Sequence, residues 1–153
     1  MKRYLIVALT LILCVGFVAC SHIEDTNGET ETGLATLTNT ELTAKAPSYT
    51  TTVSVRSEVN GQSTLKVKKF SGVDRLDSVR VKEGAASVTF TVSTTLTSGN
   101  LYVYVYKDGK ILGDLSLCKG ATLKLESPAA GEYELRIAGE SAEFTVSYSI
   151  DVK

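Results

Sequence analysis

Histidine is almost missing from this chain: one residue, His22, stands among 153. Beyond residue 48 there is none, so neither a Ser-His-Asp hydrolase nor a Cys-His nucleophile finds its base there. A surplus of one charge is also lacking. Sixteen Lys and Arg face 17 Asp and Glu, a net charge of −1, and a dedicated nucleic-acid binder would show a basic excess. No glycine-rich phosphate loop opens a helix, because no window shows a helical hydrophobic period. A hydrophobic share of 43% is enough for a packed core and excludes wholesale disorder, and the length suits one domain.

The long apolar run needed to span a membrane is missing too. Residues 4–19 are apolar, and at about 1.5 Å per residue they reach roughly 24 Å, short of a hydrocarbon core. With Met1-Lys2-Arg3 in front and small residues behind, residues 1–19 read as a secretory signal. The run closes on Phe17-Val18-Ala19-Cys20 and turns polar at Ser21. This resembles the lipobox of bacterial lipoproteins, departing from it at Phe17, where that family prefers leucine. The resemblance implies that Cys20 receives diacylglycerol on sulfur and acyl chains such as palmitate, and becomes the new N-terminus. Two or three acyl chains anchor far more firmly than one. Cys14 lies inside the apolar run ahead of Val15 and is the poorer acceptor. The expected location is the bacterial cell envelope, outside the cytoplasm, with the membrane as a partner through the lipid. Cys118 is then the only free thiol, so an internal disulfide is not expected.

Residues 20–48 read as a lipidated start and a disordered Thr/Glu-rich tether. Across 21–48 there are seven threonines, five acids and one lysine, with no sustained apolar period. His22 sits here beside the lipid, a poor place for a general base. As a random coil those residues would span about 30 Å.

From Tyr49 the hydrophobic period becomes two, the mark of half-buried strands. Turn signals recur at Asn60-Gly61, Ser71-Gly72, Glu83-Gly84, Ser98-Gly99-Asn100, Asp108-Gly109, Lys119-Gly120, residues 128–131 and Gly139. This spacing predicts an all-β domain over 49–153, an antiparallel β-sandwich of about eight or nine short strands. A two-residue turn at Asp108-Gly109 places Tyr106 opposite Ile111 and Val105 opposite Leu112. Continued unbroken, that register sets Val103 against Asp114. A bulge at Gly113-Asp114 repairs it, setting Val103 against Leu115 and Leu101 against Leu117, with Gly113 supplying a permissive backbone.

That register puts Tyr102, Tyr104 and Tyr106 on an outer face with Ser116 and Cys118. Three rings in a row are a candidate binding face for sugars or a peptide, set against ordinary cross-strand packing. Lys66, Lys68, Lys69, Arg80 and Lys82 suggest a basic cluster on two strands. The domain holds 13 basic and 12 acidic residues, so a solvated face is expected rather than an anion site. Asp74, Asp77, Asp108 and Asp114 lack the spacing of a calcium loop. Glu132 and Glu134 share a strand face about 7 Å apart as ordinary solvated carboxylates. No metal, no cofactor and no catalytic residue is expected.

The segments Leu-Tyr-Val-Tyr-Val-Tyr-Lys-Asp-Gly (101–109), Gly-Glu-Tyr-Glu-Leu-Arg-Ile (131–137) and Glu-Phe-Thr-Val-Ser-Tyr-Ser-Ile (143–150) resemble the closing strands of small extracellular β-sandwiches. Pre-peptidase C-terminal-like and GOLD-like domains carry such strands, and immunoglobulin-like domains share the pattern. The resemblance implies a binding or accessory role without catalytic residues. With the lipobox, the chain resembles small uncharacterised envelope lipoproteins. The expected function is that of a lipid-anchored, non-enzymatic module that binds an envelope protein or joins a surface assembly. The alternative is a carbohydrate-binding module using Tyr102, Tyr104 and Tyr106.

Overall fold

The computed structural model describes residues 33–115 and 120–153. The signal segment, Cys20, His22 and the pair Ser116 and Cys118 lie outside them. A short helix α1 (Asn39–Leu42) precedes seven strands: β1 (Tyr49–Thr50), β2 (Val53–Val59), β3 (Gln62–Val81), β4 (Ser87–Lys107), β5 (Lys110–Asp114), β6 (Ala121–Glu126) and β7 (Gly131–Val152). All described pairings are antiparallel, as expected from the alternation.

The strands are fewer and longer than their turn signals suggest. β3, β4 and β7 run for 20, 21 and 22 residues, each joining two segments that the sequence presents as separate strands. Ser71-Gly72, Ser98-Gly99-Asn100 and Gly139 therefore mark corners, not hairpins. The ladders slip there, between Val67 and Gly72 in β3 and between Leu96 and Asn100 in β4. Each slip inserts an odd residue that bends the strand and moves the apolar set to the other parity. In β4 the core positions change from Val88, Phe90 and Val92 to Leu101, Val103 and Val105. Gly99 shows why glycine occupies a corner. Its φ is +77°, and a Cβ would sit 2.5 Å from the Ser141 carbonyl oxygen.

Bending the shared strands folds one sheet into a sandwich-like pair of halves. The first, the open half, contains β2, β6 and residues 62–70, 87–98 and 142–152 of the long strands. The second, the strapped half, contains β1, β5 and residues 71–81, 99–107 and 131–140. One apolar core joins Leu65, Val67, Phe144 and Val146 of the former to Leu76, Val103, Leu135 and Ile137 of the latter. The buried Tyr148 hydroxyl crosses it to donate to the Leu76 carbonyl at 3.1 Å. β7 is the last strand in sequence yet the central one, pairing along its length with both β3 and β4. No helix among the described residues is long and apolar enough to cross a membrane.

Two hairpins close as the sequence implies. Asn60-Gly61 joins β2 to β3 with Val59 opposite Gln62, and Asp108-Gly109 joins β4 to β5 with Lys107 opposite Lys110. Both central residues of each turn have positive φ, the geometry of a tight type I′ turn. The expected bulge in β5 is present, one residue earlier than placed. Tyr106 faces Ile111, but Val105 faces Gly113, which leaves Leu112 as the extra residue. Val103 then meets Leu115, whose amide donates to the Val103 carbonyl at 2.7 Å. Gly113 is needed for a different reason from the expected one. A Cβ there would stand 2.8 Å from Leu123 Cδ2, so the missing side chain lets β6 approach.

Candidate functional site: a strapped tyrosine–arginine face

The outer face of the strapped half carries Tyr102, Tyr104 and Tyr106 on β4, with Glu134, Arg136 and Ala138 opposite them on β7. An outward strand face would ordinarily be wet. Here Tyr102 is 1% exposed, Tyr104 0% and Tyr106 5%, because residues 33–48 lie over them. The tether read from the sequence over 20–48 is therefore fixed in its second part, and the tyrosine face is covered rather than open. Leu34, Leu37 and Leu42 of this strap pack with the three tyrosines, Val73 and Ala138 in a second apolar cluster. The Tyr102 and Tyr104 rings stack with centroids 5.0 Å apart.

The strap is pinned at both ends by side chains of the sheet. At its start, Glu140 accepts from the Ala35 amide at 2.9 Å and from the Thr36 hydroxyl at 2.7 Å, and also from the Thr36 and Leu37 amides. The Ala35 amide bond, aided by the Thr36 and Asn100 donors, holds the Glu140 carboxyl down at about 2. In the middle, Thr38 caps α1. Its side chain accepts from the Glu41 amide, and the Glu41 carboxylate accepts from the Thr38 amide at 2.8 Å, a complete capping box. That backbone bond lowers the Glu41 carboxyl.

At its end, α1 leaves carbonyls that a longer helix would have bonded internally. The Tyr104 hydroxyl donates to Leu42 O at 2.8 Å, and the Tyr106 hydroxyl to Thr43 O at 3.3 Å. Arg136 Nη1 donates to Ala44 O at 2.7 Å and to Leu42 O at 3.3 Å. Burial pushes the Tyr104 hydroxyl up to about 12, so it stays a donor at all ordinary pH. Burial raises the Tyr102 hydroxyl as well.

Arg136 is the centre of this arrangement. It is fully buried, which for a guanidinium is tolerable only with close partners. Glu134 accepts from its Nε at 2.6 Å, and its carbon lies 3.5 Å from the Tyr106 ring centroid. The planar fork thus neutralises its charge against Glu134, stacks on Tyr106 and spends Nη1 on two strap carbonyls. Between the strap and the β1–β3 edge, a cavity of about 410 Å³ is lined by Leu37, Glu41, Pro47, Tyr49 and Gly72 among others.

The other sequence candidates are dispersed. Lys66, Lys68 and Lys69 lie on the open half of β3 and Arg80 on its strapped half, with the corner between them, so the basic residues do not form one cluster on two neighbouring strands. Lys68 lies 3.6 Å from Glu143. Glu132 and Glu134 do share a face, but Glu134 is committed to Arg136, and Arg75 Nη1 lies 3.8 Å from both. Asp108 sits in a turn, Asp114 on β5 opposite Tyr104, and Asp74 is half-buried with its carboxyl raised by that burial. Among the described residues no three potential metal ligands converge. Neither protein-family models nor curated proteins match this chain.

Arg136, Glu140 and the strap leucines were not singled out in the sequence, although signals for them exist. Thr38-Asn39-Thr40-Glu41 is a capping-box pattern, and Leu34, Leu37 and Leu42 are the large apolar residues of a stretch otherwise polar or small. Glu134 and Arg136 are two apart on one strand face beside the tyrosines.

Proposed function

We propose that this chain is a lipid-anchored, non-enzymatic lipoprotein of a bacterial envelope, whose sandwich displays a surface for assembly with another protein. The observation that carries the reading is the lipobox-like Phe17-Val18-Ala19-Cys20 behind a basic, apolar leader. The strap supports it mechanically. A pull on an anchor at Cys20 reaches the sheet at Ala35, where Glu140 and then Arg136 hold the chain. The stretch from Cys20 to Ala35 reaches at most about 50 Å even when fully extended, so the domain stays near its membrane. The absence of histidine beyond residue 48 favours a non-catalytic role. A carbohydrate module using Tyr102, Tyr104 and Tyr106 draws no support from the geometry, since a sugar could stack there only after the strap left.

Labelling cells with an alkyne fatty acid tests the anchor. Label is expected in the wild type and lost in Cys20→Ala, with the variant's mature chain released from the membrane fraction. Equal labelling of both, or an unlabelled wild type, overturns the reading.

A further inference from the structure

β2 is the exposed edge of the open half. All seven of its residues are exposed, and among the described residues it pairs with β3 alone. Natural edge strands usually avoid presenting a long apolar row, yet Val53, Val55 and Val59 are 45%, 58% and 65% exposed. They stand on the outer face, opposite Lys68, Lys66 and Gln62. Arg56 and Glu58 stand on the other face, two residues apart.

The hairpin geometry fixes which backbone groups are free. Val59 and Gln62 flank the two-residue turn and exchange hydrogen bonds with each other. Counting back, Ser57, Val55 and Val53 also direct their amides and carbonyls to β3. Ser54, Arg56 and Glu58 therefore direct theirs to the open edge. A second β2 can add antiparallel only by matching these residues with their counterparts. Centring the dyad on Arg56 sets arginine against arginine, and centring it on Glu58 sets glutamate against glutamate. Centring it on Ser57 sets Arg56 against Glu58 of the other copy, twice, and Val55 against Val59, twice.

We infer that β2 pairs with β2 of a second copy of this chain, antiparallel about Ser57, and so joins two open halves into one continuous sheet. This register pairs the free backbone groups of Arg56 and Glu58, sets their opposite charges side by side and packs Val55 against Val59, while Ser54 and Val53 fall beside the other copy's Asn60-Gly61 turn. It is isologous and closes as a two-fold dimer. It deepens the surface-assembly reading by naming the partner, and rests on that reading only for where the dimer stands in the cell.

Ser57 lies opposite itself at a non-hydrogen-bonded position, where Cα atoms approach about 4.5 Å, within disulfide range. The test uses the full chain in detergent with Cys118→Ser as background, with and without Cys20→Ala. Under mild oxidation Ser57→Cys is expected to give a reducible covalent dimer. Ser54→Cys, whose two copies would lie roughly 20 Å apart in this register, is expected to stay monomeric. Arg56→Glu should lower the Ser57→Cys dimer at least tenfold, and adding Glu58→Arg should restore it, with melting curves confirming that each variant folds. A Ser57→Cys chain that remains monomeric, cross-links no better than Ser54→Cys, or ignores the charge swap overturns the proposal. Cys20→Ala should abolish acyl labelling without touching the cross-link, so the two readings fail separately.

Discussion

The two outer faces of this sandwich are built from the same three strands and meet water in opposite ways. On the open half, β4 and β7 present Thr89, Thr91, Ser93, Thr145, Ser147 and Ser149, small hydroxyl residues that need no cover. Thr64 and Ser147 even bond each other across strands at 3.0 Å. On the strapped half, the same strands past their corners present three tyrosines and an arginine, and a segment from outside the sheet covers them. A large apolar face on an outer layer has to be covered by something, and the chain supplies sixteen of its own residues, 33–48, to do it. The strap therefore belongs to the folded domain, which begins well before its first strand.

The sharpest way to break this contrast is Arg136→Ala. It strands Glu134, frees the Ala44 carbonyl and leaves Leu42 O with its Tyr104 bond alone, so a loss of about 3 kcal/mol is expected in urea unfolding. Arg136→Lys should recover only part, since a point charge cannot stack on Tyr106 and fork to the strap. Next comes Leu42→Ala, which empties a buried site over the tyrosines for roughly 2 kcal/mol. Thr91→Ala on the open face should stay within about 0.5 kcal/mol by the same assay.

Acid perturbs the strap without a substitution. Glu140 lies below its ordinary 4.5, at about 2, because the strap amides bond its charged form. A lowered folded value means its contribution is complete above pH 4.5 and lost as pH falls toward 2. Strap release should follow that window when read by tyrosine fluorescence. Glu140→Gln should weaken the strap at neutral pH and flatten the acid response.

Much of this was readable beforehand in the strands and little of it in the cover. Alternation gave the all-β class, and Asn60-Gly61 and Asp108-Gly109 gave true hairpins because both residues of each turn needed positive φ. Gly72, Gly99 and Gly139 look the same in sequence but sit at corners: Gly72 and Gly99 share the positive φ of a turn, whereas a Cβ at Gly139 would stand 2.8 Å from the Phe70 ring. The distinguishing sign was present: core parity moves from Val92 to Leu101 with no chain reversal between them. The tyrosines looked outward because period two tells only which face a residue is on, not what lies over that face. Helix α1 is four residues long, too short for a hydrophobic period. Arg136, flanked by Leu135 and Ile137, has the pattern of any outward charge on a strand, and nothing in that pattern marks it as buried.

Amide hydrogen exchange of the wild-type chain at neutral pH tests the central claim most directly. If the strap is part of the domain, the Ala35, Thr36, Leu37 and Leu42 amides should exchange at least a hundredfold more slowly than a free peptide, and Arg136→Ala should speed them while leaving the Thr91 and Ser147 amides protected. Free-chain exchange at Ala35 through Leu42 in the wild type would contradict the account.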